Sequence, residues 1–439
     1  MNVCVMGALL VRALVPDGDQ QTDIDHYNVS LRIFEDTRTF RGHAELISRK
    51  AWRKNVRLSA KDLKIDRVTQ DDQVLPFLVE DGQVEISIRY DSAPINIYYT
   101  GQSNAGIHIE SDYVYTSFHT DRWLPSHFAP DDRATYRIAL NVPSNWVAFG
   151  ASVATRKQRV DEGNKKKARA SPKRQTLFLS QINPKAPYVF GFVAGEFVTT
   201  TRTIDKVQFI AAAQRSAQDL SPLLRDIDSI YRFLRRAAGR NFDATTYTQV
   251  ALPNAYPQEI DGVTVLPVKY LDDLRRTPGE DWLVVHELAH QWWGNSLTCA
   301  RWDHYWLNEG FAVFFSAAYK EKRWGKSAYD RELELARSRL THSLSTKKAR
   351  PLVYTGWTTP EDMGGAQTYS RGFLFLDFLR SRVGDEAFWM GLRQYTNEHW
   401  NTSVETNDFK TAIEDAAHLS LTKEFEDWTS TPNPPELRK

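Results

Sequence analysis

The pentapeptide His286-Glu287-Leu288-Ala289-His290, followed after eighteen residues by Glu309, constrains this 439-residue chain more than any other feature. Residues four apart share one face of an α-helix, so a helix here presents two imidazoles side by side to a single metal ion. Glu287 points obliquely beside them, where a carboxylate can take a proton from water without itself ligating the metal. Two histidines supply only part of a ligand set, because a catalytic zinc takes three protein ligands and keeps one position open. Glu309 lies in Tyr305–Lys320, where apolar residues recur at helical spacing after a loop rich in Trp, Gly and Asn. Such a helix can pack against the first and complete a two-His, one-Glu set. One Zn2+ per chain, held by His286, His290 and Glu309, is the expectation. The competing reading is a buried histidine pair satisfied by backbone carbonyls, with Glu309 on the surface.

Composition fits a globular protein with adequate cores: 41% of residues are hydrophobic, 25% are charged and thirteen are Trp. A net charge of +1 argues against a nucleic-acid partner. Cys4 and Cys299 give no disulfide framework. Cys299 stands near the metal motif, yet a complete ligand set leaves it a packing role. His304 is read in the same way, as packing or substrate-facing. Glu280, Asp303 and Asn308 are close enough in sequence to support a ligating imidazole, and sequence does not choose among them. Val3–Val15 is apolar but interrupted by Arg12 and preceded by no positive charge, so residues 1–22 read as a tail or an atypical leader. That run is too short to span a membrane, and no other approaches the needed length. Neither compartment nor oligomeric state is legible beyond a soluble chain.

Along the chain, short alternating segments such as Tyr27–Ile33 and Gln83–Arg89 are separated by turn clusters. This pattern of a β-sandwich or saddle extends to about Ile210 and assigns residues 23–214 to an N-terminal β domain. Arg156–Arg174, with Lys165-Lys166-Lys167, has no apolar period and reads as a solvated hairpin loop rather than a polyanion site. From Ser221 the period becomes helical, with Leu223, Leu224, Ile227, Ile230, Tyr231 and Leu234 on one stripe. A strand-like region follows at Thr246–Leu266, then helices to about Trp428. Residues 215–431 are thus a mainly α catalytic domain, and 432–439 a Pro-containing tail. The fold class is α+β.

The stretches Val285–Asn295 and Trp302–Ala312, the latter reading Trp-Asp-His-Tyr-Trp-Leu-Asn-Glu-Gly-Phe-Ala, resemble the gluzincin zinc aminopeptidases, peptidase family M1, of the aminopeptidase N and leukotriene hydrolase type. Tyr113–Pro143, Lys185–Phe197 and Tyr369–Leu376 resemble further family segments in the same order. The resemblance runs from about Asp23 to about Asp427. It implies a thermolysin-like catalytic domain, peptide substrates with a free N-terminus, Glu287 as general base, Tyr369 as the donor that stabilises the oxyanion, and Glu259 as the carboxylate that binds the substrate's α-ammonium. Two departures stand out. Family members carry a Gly-Ala-Met-Glu-Asn-type segment where this chain has Tyr256-Pro257-Gln258-Glu259-Ile260, so only the glutamate survives. Members also continue into a helical C-terminal domain, whereas this chain reads as a short form with a more open cleft. The alternatives are a zinc endopeptidase of thermolysin-like chemistry and a zinc-binding protein without catalysis.

Overall fold

The computed structural model describes residues 23–151, 173–215, 219–346, 349–357 and 360–434. Residues 1–22, the basic stretch up to residue 172 and residues 435–439 lie outside the described residues. The expected order is the observed one, a β-rich N-terminal part followed by a mainly helical part.

Alternation builds the first part. In His26–Phe34 the side chains of Tyr27, Val29, Leu31 and Ile33 are buried while those between them are partly or fully exposed. This strand pairs antiparallel with Thr39–Ile47 and parallel with Ala134–Pro143, near the middle of a seven-stranded sheet. A three-stranded sheet (Asn55–Ser59, Gln83–Ser87, Phe77–Glu80) and a four-stranded sheet (Val147–Phe149, Val193–Gly195, Tyr113–Thr116, Ile107–Ile109) complete it. Inward side chains of all three, among them Leu31, Ile86 and Val114, join one core with Trp123. Arg174, expected in the basic loop, instead opens the strand Arg174–Lys185, where its guanidinium pairs with Glu35 at 3.2 Å and donates to Asn141.

The hairpin Phe197–Ile204 and Val207–Gln214, whose first strand is exposed along most of its length, pairs through its second strand with Thr246–Leu252 in a separate five-stranded sheet. Val263–Pro267 and Gln258–Ile260 finish that sheet, with Gln258–Ile260 on its edge. Residue 214 is therefore not a break between sheets, and sheet membership favours a division near Glu196. Alternation reports that a strand has one buried face, not which sheet it joins. The helices Ile227–Ala238, Trp282–Ala289 (the motif helix), Trp306–Trp324 (the glutamate helix) and Tyr369–Val383 (the tyrosine helix) share with this sheet one core rich in aromatic rings. Trp293, just past the motif helix, stacks on Phe315 of the glutamate helix at 4.0 Å between centroids.

Basic side chains sew the two parts together. Arg133 donates to Thr298 Oγ1 at 2.6 Å and to the carbonyls of Asn295 and Ser296 at 3.3 and 3.1 Å. Lys185 Nζ reaches Ser296 Oγ at 3.0 Å and Asn401 Oδ1 at 3.1 Å. Burial pushes the Lys185 ammonium down to about 8. A base whose folded pKa is depressed withholds stability while charged, so stability rises as pH climbs from about 8 towards the ordinary lysine value of 10.5. Urea unfolding at pH 7.5 and 9.5 should show wild type gaining on Lys185→Met with rising pH, by about 2 kcal/mol. A gap that stays constant would contradict a charged, desolvated Lys185 at neutral pH.

Candidate metal centre and active-site pocket

Burial, not amphipathicity, characterises the motif helix: Leu283 to Ala289 are all buried, including His286 and Glu287. His290 caps its C-terminal end, and the Nδ1–H of this imidazole donates to the Trp293 carbonyl at 3.1 Å. That bond would fix the tautomer of a neutral imidazole and leave Nε2 as the ligating nitrogen once a metal displaces its proton. The glutamate helix brings Glu309 opposite the pair. Nε2 of His286 and Nε2 of His290 are 3.1 Å apart, and Glu309 Oε2 lies 3.3 and 3.6 Å from them. A point about 1.9 Å from all three atoms exists in their plane, close to the ~2.0–2.2 Å of zinc–nitrogen and zinc–oxygen bonds. Glu309 Oε2 is buried without a hydrogen-bond partner, as a metal-facing oxygen would be. Among the described residues these three form the one cluster of histidine, cysteine and carboxylate ligands with metal-binding spacing.

The charges around this triangle are concentrated. Glu309, Glu287 and Glu259 are 2%, 3% and 7% exposed. Burial opposes ionisation of Glu309, but His290 and His286 outweigh it and hold the carboxyl well below the usual range. Burial likewise works against a charged His290, and Glu309, Glu259 and Glu287 reverse the balance and raise it to about 10. Glu287 goes well up, through burial opposed by His290 and reinforced by Glu259 and Glu309. Glu259 is pushed up to about 7 by burial, with His290 pulling down and Glu309 up. A pocket of three buried carboxylates thus holds protons unless another cation enters, which suits a divalent metal.

The tyrosine helix completes the pocket. Tyr369 at its first turn lies with its ring nearly parallel to the His286 imidazole, 6.2 Å between centroids. Burial, with Glu309 and Glu259 adding, pushes this phenol well up, so it stays a neutral donor. The tyrosine and glutamate helices meet where Gly310 and Gly372 touch backbone to backbone. A Cβ on Gly310 would stand 2.9 Å from the Gly372 Cα.

Several contributors escaped the sequence reading. Tyr305, one turn before Glu309, donates its hydroxyl to Glu309 Oε1 at 2.7 Å and leaves Oε2 to face the histidines. Gln291 accepts from the Gly262 N–H at 3.0 Å and donates to the Ile260 carbonyl at 3.4 Å, tying the Glu259 hairpin to the motif helix. Tyr188 donates to the Gly294 carbonyl at 3.1 Å and accepts from Asn308 Nδ2 at 2.8 Å. Position i−4 to Glu309 was the available signal for Tyr305; the others are contacts between distant segments, which spacing cannot show. Of the three imidazole supporters considered, none bonds a ligand imidazole. Asn308 holds Cys299 N and Tyr188, Asp303 pairs with Arg301, and Glu280 pairs with Lys320. His304 is packed between Thr406 and Arg301, and Cys299 is buried beside Tyr305 and Met363.

Residues 274–428 match the model of the peptidase family M1 domain. That match takes in the motif helix, the glutamate helix and the tyrosine helix. Over 330 residues it is 24% identical to glutamyl aminopeptidase of Bos taurus, covering 72% of this chain and 33% of that protein. Over 453 residues it is 25% identical to aminopeptidase N of Lactobacillus delbrueckii subsp. lactis, covering 94% of this chain and 51% of that protein. The chain thus spans a third to a half of the length of these curated relatives. The solved structure of a mutant M1 zinc metallopeptidase from Deinococcus radiodurans superimposes with a TM-score of 0.75 at 21% identity, over 95% of this chain and 96% of that one. A second structure of that mutant, bound to a Tyr-Ser-Ala substrate, matches with the same TM-score at 20% identity, again over 95% and 96% of the two chains. The fold is that of M1 metallopeptidases.

Two substitutions probe this arrangement. Gly310→Ala should cost about 1–3 kcal/mol by overpacking the crossing, and should separate Tyr369 from Glu309. Urea unfolding measures the first effect, and a crystal structure of the variant the second. Tyr305→Phe should weaken Zn2+ binding about tenfold, read by competition with a chromophoric chelator. Wild-type affinity in a folded Tyr305→Phe protein would show that the phenol does not orient Glu309.

Proposed function

We propose that this protein is a zinc-dependent aminopeptidase that removes the first residue of peptides with a free N-terminus. The observation that carries this reading is Glu259. Its carboxylate is buried, one oxygen accepts from Gln258 at 2.9 Å, and the other, Oε1, has no hydrogen-bond partner. It shares a pocket with His290, Glu287 and Glu309, whose charges act on its ionisation or it on theirs. An unpaired carboxylate oxygen next to a metal triad is the complement of an α-ammonium next to a scissile carbonyl, and it rejects an acylated terminus. The names of the two relatives, a glutamyl aminopeptidase and an aminopeptidase N, support the same class.

His286, His290 and Glu309 would hold one Zn2+ per chain. The ion supplies Lewis-acid polarisation of a carbonyl and lowers the pKa of a water in its open position. Glu287 is the general base. It adjoins His286, and its Oε2 is buried without a hydrogen-bond partner. A raised proton affinity suits a group that must take a proton from water and hand it to the leaving amine. Tyr369 donates its hydroxyl to the oxyanion that develops at the attacked carbonyl, and Glu259 fixes the register so that the first peptide bond is the one cut.

The test is hydrolysis of amino-acid anilides and short peptides by zinc-loaded protein, each with a free and an acetylated amino terminus. Cleavage confined to the free forms is expected; cleavage of blocked peptides would instead indicate an endopeptidase. Glu287→Gln should lower kcat by about 10²–10⁴-fold with zinc still bound, and Tyr369→Phe by about 10²–10³-fold with KM little changed. Zinc content by atomic absorption accompanies both assays, and undiminished turnover in metal-loaded Glu287→Gln would sink the mechanism.

A further inference from the structure

The residue before Glu259 is a glutamine whose side chain is itself buried, at 6% exposure. Its amide makes two bonds of opposite polarity. Oε1 accepts the backbone N–H of Phe118 at 2.8 Å, and Nε2 donates to Glu259 Oε2 at 2.9 Å. The amide has one workable orientation, because turned over it would set Nε2 against an N–H and Oε1 against a carboxylate. Phe118 belongs to the N-terminal part and is itself clamped, its ring packed against Tyr188, Trp302 and Tyr305 at centroid distances of 5.0, 5.4 and 6.2 Å. The other side of the Glu259 carboxylate is left open, with Oε1 buried and unpartnered. The strand Gln258–Ile260 lies at the edge of its sheet and sets Glu259 opposite Thr264 of Val263–Pro267, which fixes the face the side chain leaves from but not its terminal torsions.

We infer that Gln258 is a positioning residue for the amine anchor: it fixes one oxygen of Glu259 and turns the other towards the ammonium of the substrate's first residue. The inference rests on the reading of Glu259 as that anchor. It gives a purpose to the departure at Tyr256-Pro257-Gln258-Glu259-Ile260. Gln258 carries the reference point of the anchor across to the N-terminal part, through the Phe118 backbone. The amide is neutral and donates, so it holds the carboxylate without competing for its charge. A hydrogen bond to an ionised group is among the stronger side-chain interactions, and its loss frees a carboxylate that must otherwise be ordered by the substrate.

The test compares two inhibitors that differ only in the amine, L-leucine hydroxamate and 4-methylpentanohydroxamate, on zinc-loaded full-length wild type, Gln258→Met and Gln258→Asn. Met keeps the length without polar atoms, and Asn keeps the amide one methylene too short to span both partners. Wild type should prefer the amine-bearing ligand. In both variants that preference should shrink about tenfold, with the amine-free ligand bound as in wild type. With peptides, KM should rise by the same factor while kcat stays within about twofold of wild type. An unchanged preference in the folded variants would overturn the role of Gln258, as would an equal weakening of both ligands, which a merely structural residue would produce. A wild-type protein indifferent to the amine would overturn the anchor reading itself and this inference with it.

Discussion

The contact on which the pocket depends is a crossing of two helices at a pair of glycines. Gly310 follows Glu309 directly, and Gly372 lies three residues beyond Tyr369. With no Cβ on either side, the backbones touch, and a methyl group on one would meet the other's Cα within 3 Å. Close approach has a chemical result: it brings a metal-facing carboxylate and a phenol into one pocket, where burial and the Glu309 charge keep Tyr369 neutral. The glutamate helix is held on its other flank by the Trp293–Phe315 stack and by Asn308, which bonds both the Cys299 backbone and Tyr188. Its position is thus fixed from three directions, and Tyr305 fixes the last free torsions of Glu309.

That rigidity is what makes the electrostatics tolerable. Three buried carboxylates in one pocket cost several kcal/mol each unless compensated. Here the compensation is shared: His290 keeps a proton well above its ordinary range, and Glu287 and Glu259 shift towards their neutral forms. The same arrangement gives three carboxylates three different characters. Glu309 is strongly acidic because both imidazoles face it, Glu287 is strongly basic because burial and two like charges surround it, and Glu259 lies between them. A ligand, a base and an anchor need those properties in that order.

Much of this was legible because helical spacing is a local rule. The face shared by His286 and His290, the later helix carrying Glu309 and the change from alternating to helical period near Ser221 all follow from residues close in sequence. Sheet membership was not legible, because the hairpin at residues 197–214 follows the earlier strands directly and its partner strand, Thr246–Leu252, lies beyond an intervening helix. The partner of the His290 imidazole was missed because it is a backbone carbonyl, Trp293 O, which no residue type announces. Arg371 shows the same limit: it is fully buried and donates to the carbonyls of Arg350, Trp428, Thr431 and Pro432, so the segment after the last helix is bound to the tyrosine helix by contacts invisible in composition.

The β domain is more than a carrier. Its Phe118 N–H anchors Gln258, its Tyr188 hydroxyl links Gly294 to Asn308, and its Arg133 and Lys185 grip the turn between the motif helix and the glutamate helix. Each of these bonds ends within a few residues of a metal ligand or of Glu259. Among the described residues neither the buried Lys185 nor the partly buried Arg133 has a carboxylate in hydrogen-bond contact, and desolvation lowers the proton affinity of both. Their partners are the carbonyls and hydroxyls of residues 295–298, so a rotation of the β domain would strip those groups of donors while leaving two desolvated charges behind. Domain motion of that kind is therefore costly at this seam. The pocket is assembled from both parts of the chain, and its geometry is set when they dock rather than when substrate arrives.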